Sequence, residues 1–319
     1  MTKYLEQKIL GGDFLSREEA FSLAQISETE LFEFYASANK LRNHFKGKTV
    51  ALCSIINAKS GACSEDCSFC AQSSKSKAGI KVYPLIQKNI VMQKAKEAKE
   101  SGAQRFSIVT SGRNISEKEL LDIVDMISGI KEIGLIPCAS LGLLGEKELS
   151  MLKSAGLGRY HHNLETSERF FPLICSTHSY RDKLKTIEST KSIGLSLCCG
   201  GIFGLGETWQ DRIEMAFLLR ELSVDSIPLN FLIPIKGTAL GGRDILHPFE
   251  ALKIVSLYRY ILPEKEIRIC GGRLQILGEF NSMIFLAGAD GIMIGNYLTT
   301  AGRNYEDDFR IIETYGLTI

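Results

Sequence analysis

The sequence has no long uninterrupted apolar run and almost no net charge. No apolar stretch approaches the roughly 20 residues that a membrane-spanning helix needs. The 38 basic and 37 acidic side chains leave a net charge of +1, without a basic block or an acidic tail. The N-terminal stretch lacks the apolar core of a signal peptide. We therefore expect a cytoplasmic protein with no nucleic-acid partner and no membrane partner.

Histidine is scarce, with five residues, whereas cysteine is common, with nine. The number of cysteines is odd, and several of them lie inside apolar strand-like runs. A disulfide framework is not expected for such a pattern in a reducing compartment. The cysteines are therefore expected to bind metal or to take part in catalysis.

From residue 49 onwards, apolar strand-like runs alternate with amphipathic helical stretches. The predicted strands are residues 49–57, 104–111, 134–142, 159–166, 195–204, 226–235, 266–272 and 290–295. The predicted helices are residues 89–101, 116–132, 146–155, 180–193, 209–222 and 248–262. Eight strands that alternate with helices are the number needed to close a barrel. The chain lacks the strand–GxGxxG–helix unit that would favour the alternative, an open doubly wound sheet. The pattern predicts an α/β fold, a (β/α)8 TIM-type barrel.

Residues 14–46 precede this alternation and predict two helices. Residues 16–19 and 27–30 both have the form of a capping box and are followed by apolar residues at helical spacing. Gly47 ends the second helix. We expect an N-terminal helical extension at residues 1–47, packed outside a barrel domain at residues 48–319.

Three cysteines, Cys63, Cys67 and Cys70, follow the first predicted strand with C-x3-C-x2-C spacing. Three thiolates on one short loop suit an iron–sulfur cluster. A structural zinc site would need a fourth ligand, and the next histidine, His161, is far along the chain. A zinc knuckle is the alternative. Three ligands on a four-iron cluster leave one iron open for another molecule.

Three further cysteines, Cys138, Cys198 and Cys270, lie on predicted strands three, five and seven. Alternate strands of a barrel project side chains into the same interior layers. These cysteines, or Cys138 and Cys198 with Arg268, could therefore meet inside the barrel. A single buried cysteine is more often a small apolar side chain, but three on facing strands favour a second iron–sulfur centre.

The loop triplet, with Phe69 before its third cysteine, resembles the signature of the radical S-adenosylmethionine (SAM) enzymes. Motifs on nearly every strand, from about residue 50 to the end, narrow the resemblance to the biotin synthases. The matching stretches are residues 61–67, 162–167, 198–207, 230–232 and 236–238. This resemblance implies that dethiobiotin becomes biotin by radical-mediated sulfur insertion. A SAM-derived 5′-deoxyadenosyl radical would start the reaction, and an auxiliary cluster would supply the sulfur.

The same resemblance implies roles for individual residues. The 4Fe–4S cluster would be held by Cys63, Cys67 and Cys70. SAM would be bound by Asn163, Glu165, Gly204, Gly206 and Lys183. Dethiobiotin would be bound by Asn163, Asn230, Thr299 and Thr300. The auxiliary cluster, 2Fe–2S in the family, would be held by Cys138, Cys198 and Arg268. The radical mechanism implies no acid–base residue.

The chain departs from the family at Ser107, where a cysteine on the second strand supplies the fourth ligand of the auxiliary cluster. Serine is a poor iron ligand beside a thiolate. Cys270 is an extra cysteine, and so is Cys199, a further candidate ligand. Two interpretations follow: the cluster has moved onto Cys270, with a changed nuclearity, or it is degraded and the function has altered. Two other cysteines, Cys53 and Cys175, are interpreted as packing residues.

The implied mechanism needs a reducing electron-transfer protein such as flavodoxin or ferredoxin. The sequence is also compatible with a homodimer. Two other functions remain as alternatives. One is a related barrel enzyme of the hydrogenase-maturation or methylornithine-synthase type. The other is a non-catalytic iron–sulfur carrier.

Overall fold

The computed structural model describes residues 1–295, 298 and 302–319. The described strands are β1 (Ala51–Lys59), β2 (Arg105–Thr110), β3 (Ile136–Ser140), β4 (Arg159–His161), β5 (Ser196–Cys198), β6 (Gly201–Phe203), β7 (Ser226–Phe231), β8 (Glu266–Ile269) and β9 (Gly291–Met293). The described helices are α1 (Thr2–Leu10), α2 (Arg17–Ala24), α3 (Leu31–Lys46), α4 (Lys88–Glu100), α5 (Glu117–Glu132), α6 (Glu146–Ser154), α7 (Tyr180–Ser192), α8 (Trp209–Glu221), α9 (Pro248–Ile261), α10 (Arg273–Leu277) and α11 (Tyr305–Thr314).

The strands form one closed parallel sheet. Their order is β5-β4-β3-β2-β1-β9-β8-β7-β6, and β5 also pairs with β7 through Cys198 and Ser226, which closes the ring. Because β5 and β6 are two halves of one barrel strand, the barrel has eight strand positions. The predicted (β/α)8 barrel is confirmed.

Gly200, between β5 and β6, packs closely against β7. A Cβ atom on this residue would lie 2.1 Å from the carbonyl oxygen of Pro228, so only glycine lets the two backbones approach so closely. The predicted strand 195–204 is interrupted in the structure at residues 199–200. Predicted strand 159–166 is also shorter in the structure, because β4 ends at His161.

The predicted helices between the strands correspond to α4–α9. The sequence pattern missed three helices, α1, α10 and α11. The sequence pattern also predicted that the second N-terminal capping box begins an α-helix. In the structure this box begins a short 3-10 turn, Glu28–Glu30, which precedes α3. The first box is formed as predicted, since Ser16 Oγ accepts from the Glu19 amide at 3.2 Å and the Glu19 carboxylate accepts from the Ser16 amide at 2.8 Å.

The N-terminal helices pack on helices of the barrel. Helix α3 lies against α9, α2 lies against α8 and α9, and α1 lies against α3. Among the described residues, no helix has both the length and the apolar character needed to cross a bilayer.

Candidate active site

A cavity of about 350 Å³ lies inside the barrel and reaches the carboxyl ends of its strands. This end carries the functional residues of TIM-type barrels. Its wall combines apolar side chains, among them Ile55, Val109 and Met293, with a small number of polar and sulfur-bearing groups. Such a lining suits a small molecule that is held by a few oriented polar contacts.

The deep wall of this cavity brings together the residues predicted for an auxiliary cluster. Ser107 on β2 pairs in register with Cys138 on β3, and His161 on β4 pairs with Cys198 on β5. Residues on neighbouring strands at one level of a barrel share an interior layer. The predicted ligands that line the cavity are Cys138, Cys198, Arg268 and Cys270. Ser107, which replaces the family's fourth cysteine ligand, lines it as well.

The structure places two cysteines differently from what we expected from the sequence. Cys53, interpreted as a packing residue, lines the same cavity from β1, two positions before the inward-facing Ile55. Side chains two residues apart on a strand point to the same side, and this alternation could have identified Cys53 as a cavity residue. Cys199 follows the inward-facing Cys198, so its side chain takes the opposite side of the chain and packs in the apolar core. The structure thus separates Cys199 from the cavity thiols.

Arg268 has the surroundings of a buried ligand-binding cation. Its guanidinium contacts the Glu266 carboxylate, which also accepts from Arg159 at 3.1 Å and from the Ser226 hydroxyl at 2.8 Å. Burial raises the pKa of Glu266, but Arg268 and Arg159 outweigh burial and lower it to about 2. The Nε of Arg268 is buried and has no hydrogen-bond partner among the described residues. A buried, unpaired donor of this kind fits a site that a further group completes.

The cavity thiols differ in how easily they ionise. Burial raises the pKa of Cys198, but His161, whose Nδ1 lies 3.3 Å from the sulfur, and Arg268 lower it to about 7. Burial raises the pKa of Cys138 to about 12 and also raises the pKa of Cys270. The positive groups around Cys198 therefore favour the thiolate form that metal ligation requires.

The predicted substrate-binding residues Asn163 and Asn230 also line the cavity. Asn163 Oδ1 accepts from the Gly200 amide at 3.1 Å, and Asn230 Oδ1 accepts from the Gly271 amide at 2.9 Å. Each side chain is thus held in place by the backbone of a loop that follows another strand. The other two predicted residues, Thr299 and Thr300, lie outside the described residues.

Glu165 lines the cavity from a strained backbone position. Its φ angle is +73°, in the left-handed region that side chains other than glycine rarely adopt, and its carbonyl accepts from the Ile202 amide at 2.9 Å. Backbone strain of this kind concentrates at functional sites. The side chain also accepts from the Asn163 amide group at 3.4 Å.

The remaining predicted SAM-binding residues are engaged within the protein. The amides of Gly204 and Gly206 both donate to the Glu207 carboxylate, each at 3.0 Å. Lys183 Nζ donates to the Asn163 carbonyl at 3.0 Å, so Lys183 supports Asn163 through its backbone. None of these three residues is among the described residues that line the cavity.

The loop after β1 carries Cys63, Cys67 and Cys70, all with free, half-buried thiols. The loop folds back on itself, since the Cys70 amide donates to the Cys67 carbonyl at 2.9 Å and the Ser74 amide donates to the Cys63 carbonyl at 2.8 Å. Phe69, inside the triplet, lines the cavity. Three free thiols on one loop, which reaches the cavity through Phe69, fit a 4Fe–4S cluster with one open iron.

A cysteine far along the chain reaches this loop. Cys175 Sγ lies 3.8 Å from Cys67 Sγ, although 108 residues separate the two in the sequence. Cys175 was interpreted as a packing residue, and no spacing motif connects it to the triplet. The contact depends on the tertiary fold, so sequence reasoning had no signal for it.

Comparison with known families gives two matches that together span most of the chain. Residues 58–219 match the radical SAM superfamily, and residues 228–318 match the biotin and thiamin synthesis associated domain. A biotin synthase of Thermodesulfovibrio yellowstonii is 54% identical over 297 residues, covering 93% of this chain and 94% of that protein. A biotin synthase of Pelotomaculum thermopropionicum is 46% identical over 320 residues, covering 100% of both chains.

Solved structures share the fold at lower identity. Methylornithine synthase matches with a TM-score of 0.83 at 21% identity, over 98% of this chain and 96% of that one. The [FeFe]-hydrogenase maturase of Carboxydothermus hydrogenoformans matches with a TM-score of 0.84 at 17% identity, over 99% of this chain and 78% of that one. These likenesses show the fold alone. The identity to the curated relatives over the full length, with the radical SAM match, shows that the chain belongs to the biotin synthase family of radical SAM enzymes.

Proposed function

We propose that this chain converts dethiobiotin into biotin by inserting sulfur, with SAM as co-substrate. The observation that carries the proposal is one cavity lined both by the polar pair Asn163 and Asn230 and by the interior thiols. A substrate held by the first set would lie next to a sulfur source held by the second. No specific observation favours the maturase or methylornithine-synthase alternative, since those likenesses concern the fold.

Dethiobiotin's reacting carbons are unactivated, so ordinary acids and bases cannot deprotonate them. When bound, the 4Fe–4S cluster and SAM supply a carbon radical that can remove hydrogen from such carbons, and an auxiliary cluster supplies sulfur. The protein binds and orients these partners. Cys63, Cys67 and Cys70 would hold the first cluster, and the apolar part of the cavity wall would limit the access of water to the reacting carbons.

Asn230 is suited to a ureido group because half of its hydrogen-bonding capacity is already used. Its Oδ1 accepts from the Gly271 amide at 2.9 Å, and its Nδ2 donates to the Gly201 carbonyl at 3.2 Å. A side-chain amide has two donor hydrogens and two acceptor lone pairs. One donor and one acceptor therefore remain, which can pair with the carbonyl and the N–H of a ureido ring.

Replacing Asn230 by alanine should weaken dethiobiotin binding. The polar ureido group would lose its partner, at a cost of about 1–3 kcal/mol, which raises the Kd by about 5- to 150-fold. Calorimetric titration of the reconstituted protein measures this change. Asn39→Ala, on α3 outside the barrel, is the matched control. Unchanged affinity in Asn230→Ala would remove this residue from the substrate site.

For the auxiliary cluster, we propose that Cys138, Cys198 and Cys270 are the thiolate ligands, with Arg268 as a neighbour or further ligand. Cys53 lines the same cavity and adds one more thiol within the barrel. Thiolates bind iron in preference to the Ser107 hydroxyl. This arrangement supports the interpretation that the cluster has moved, because the lost ligand and the gained one face the same interior space.

The proposal also includes a reducing electron-transfer protein of the flavodoxin or ferredoxin type, because each SAM cleavage consumes one electron. The cytoplasm is the proposed compartment, since the nine cysteines are free thiols in the structure. The helical extension 1–47 and the barrel domain 48–319 remain our proposed division of the chain, and the homodimer remains the proposed assembly.

A further inference from the structure

A second group of metal-binding side chains lies beside the loop triplet. It consists of Cys67, Cys175 and His178, whose donor atoms all lie within 4.8 Å of one another. Cys67 comes from the loop after β1, and the other two residues come from the turn before α7. Three donors from two separate segments therefore converge at one point.

Two distances between donor atoms of this group are close to the edges of a tetrahedral metal site. Zinc binds sulfur at about 2.3 Å and imidazole nitrogen at about 2.0–2.1 Å, which places two sulfurs about 3.8 Å apart, and sulfur and nitrogen about 3.5 Å apart. In the structure, the Cys67 and Cys175 sulfurs are 3.8 Å apart. The Cys175 sulfur lies 3.9 Å from His178 Nε2, the nitrogen proposed as the ligand, and 3.3 Å from Nδ1, which Glu65 engages. A Cys2His site needs little movement of these side chains.

A carboxylate orients the histidine of this group. Glu65 Oε2 lies 2.5 Å from His178 Nδ1, so Nδ1 donates to the carboxylate and Nε2 is left with its lone pair. A metal-bound histidine commonly donates its other ring N–H to a carboxylate in this way. The pair is itself buried, since 7% of the His178 side chain and 8% of the Glu65 side chain are exposed.

A second carboxylate shapes the turn that carries two of the donors. Asp66 Oδ1 accepts from the amides of Ser176 at 2.9 Å and Thr177 at 3.2 Å, and it lies 3.3 Å from the Cys175 sulfur. These bonds fix the turn against the triplet loop. Ser176, next to the buried Cys175, is exposed, so this turn lies at the protein surface.

We propose that Cys67, Cys175 and His178 form a site for Zn²⁺ or a similar divalent transition-metal ion in the cluster-free protein, with water as the fourth ligand. Binding replaces the thiol protons of the two cysteines, which are released to solvent. Glu65 is a positioning residue that holds the histidine ring.

This site competes with the 4Fe–4S cluster, because both use Cys67. The competition rests on the proposed role of Cys67 as a cluster ligand, whereas the existence of the site does not. The site would keep the Cys67 thiolate occupied before the cluster is assembled. Cluster assembly would then require Cys67 to leave the divalent ion.

The test uses the full chain, stripped of iron and reduced, in a Cys63→Ser/Cys70→Ser background that removes the other two triplet thiols. Co²⁺ is the probe, because tetrahedral thiolate coordination gives it intense visible absorption. We expect one Co²⁺ per chain whose visible absorption depends on Cys175 and His178. Adding Glu65→Gln should weaken binding by about 10- to 100-fold, and adding Cys175→Ser or His178→Phe should weaken it further.

A matched control uses a buried cysteine outside both this site and the cavity. Cys199→Ala in the same background removes a thiol that packs in the apolar core and should leave the Co²⁺ spectrum unchanged. If the Co²⁺ spectrum is unchanged in both Cys175→Ser and His178→Phe, or is lost in Cys199→Ala, the proposed site does not exist. Circular dichroism checks the fold of each variant, and the three independent substitutions keep the comparison decisive if one of them does not fold.

Competition is tested on the wild-type chain loaded with Zn²⁺ and then supplied with iron and sulfide under anaerobic conditions. We expect about one Zn²⁺ to be released for each 4Fe–4S cluster formed, and Cys175→Ser to assemble the cluster without inhibition by Zn²⁺. Full cluster content with the zinc retained would overturn the shared use of Cys67. A failure to make biotin would contradict the proposed function and leave the Co²⁺ result intact.

Discussion

Replacing Cys67 by alanine should abolish SAM cleavage and leave the barrel folded. Two remaining thiolates cannot hold a cluster that three ligands bind. The loss of SAM cleavage should therefore exceed the roughly 100-fold loss that substitution of a residue next to a metal ligand can cause. The fold should survive, because Cys67 lies on a loop and only packs, half-buried, against the edge of a core formed by the strands and helices. Release of 5′-deoxyadenosine under reducing conditions, measured together with circular dichroism, checks both statements.

Cys199→Ala is the matched control for that experiment. Cys199 is a buried cysteine of the same barrel, but it packs in the apolar core away from both proposed clusters. Its truncation should leave SAM cleavage close to the wild-type level. Cleavage at the wild-type level in Cys67→Ala would contradict the assignment of the loop triplet.

Replacing Cys270 by serine should abolish biotin formation but preserve the first cluster and SAM cleavage. A hydroxyl competes poorly with thiolates for iron, so the auxiliary cluster should lose its iron. The loop triplet lies on a different segment and should keep its own iron. Mössbauer iron counts on the wild type, Cys270→Ser and Ser107→Cys, combined with assays of biotin and 5′-deoxyadenosine, separate the two clusters.

The opposite result would reassign the interior of the barrel. If Cys270→Ser keeps its full iron content and still makes biotin, Cys270 is a packing residue. The auxiliary cluster would then rest on Cys138, Cys198 and Arg268, with Cys53 as the remaining cavity thiol. The same measurements on Cys53→Ser would test that arrangement.

Much of the architecture could be predicted from the sequence because its signals are local. Alternation of apolar runs with amphipathic stretches predicted the barrel, since each β/α unit carries its own pattern. The loop triplet was evident from spacing alone. Strand parity predicted that Cys138, Cys198 and Cys270 share the interior, and the structure brings all three to one cavity.

The features that the sequence did not reveal depend on contacts between distant segments. Cys175 meets Cys67 only because the turn before α7 packs on the loop after β1. The close packing of Gly200 against Pro228, between β5 and β6, is also a contact that no local propensity encodes. The strained backbone at Glu165 likewise requires the surrounding fold to hold it.

The most direct test of the central claim follows the sulfur atom. The chain is reconstituted anaerobically with iron and isotopically labelled sulfide, freed of excess sulfide, and supplied with dethiobiotin, SAM and a reductant. If the barrel cavity holds substrate beside its own sulfur-donating cluster, mass spectrometry will find biotin that carries the label, with about two 5′-deoxyadenosine molecules for each biotin. Biotin without the label, or SAM cleavage without any biotin, would contradict the account.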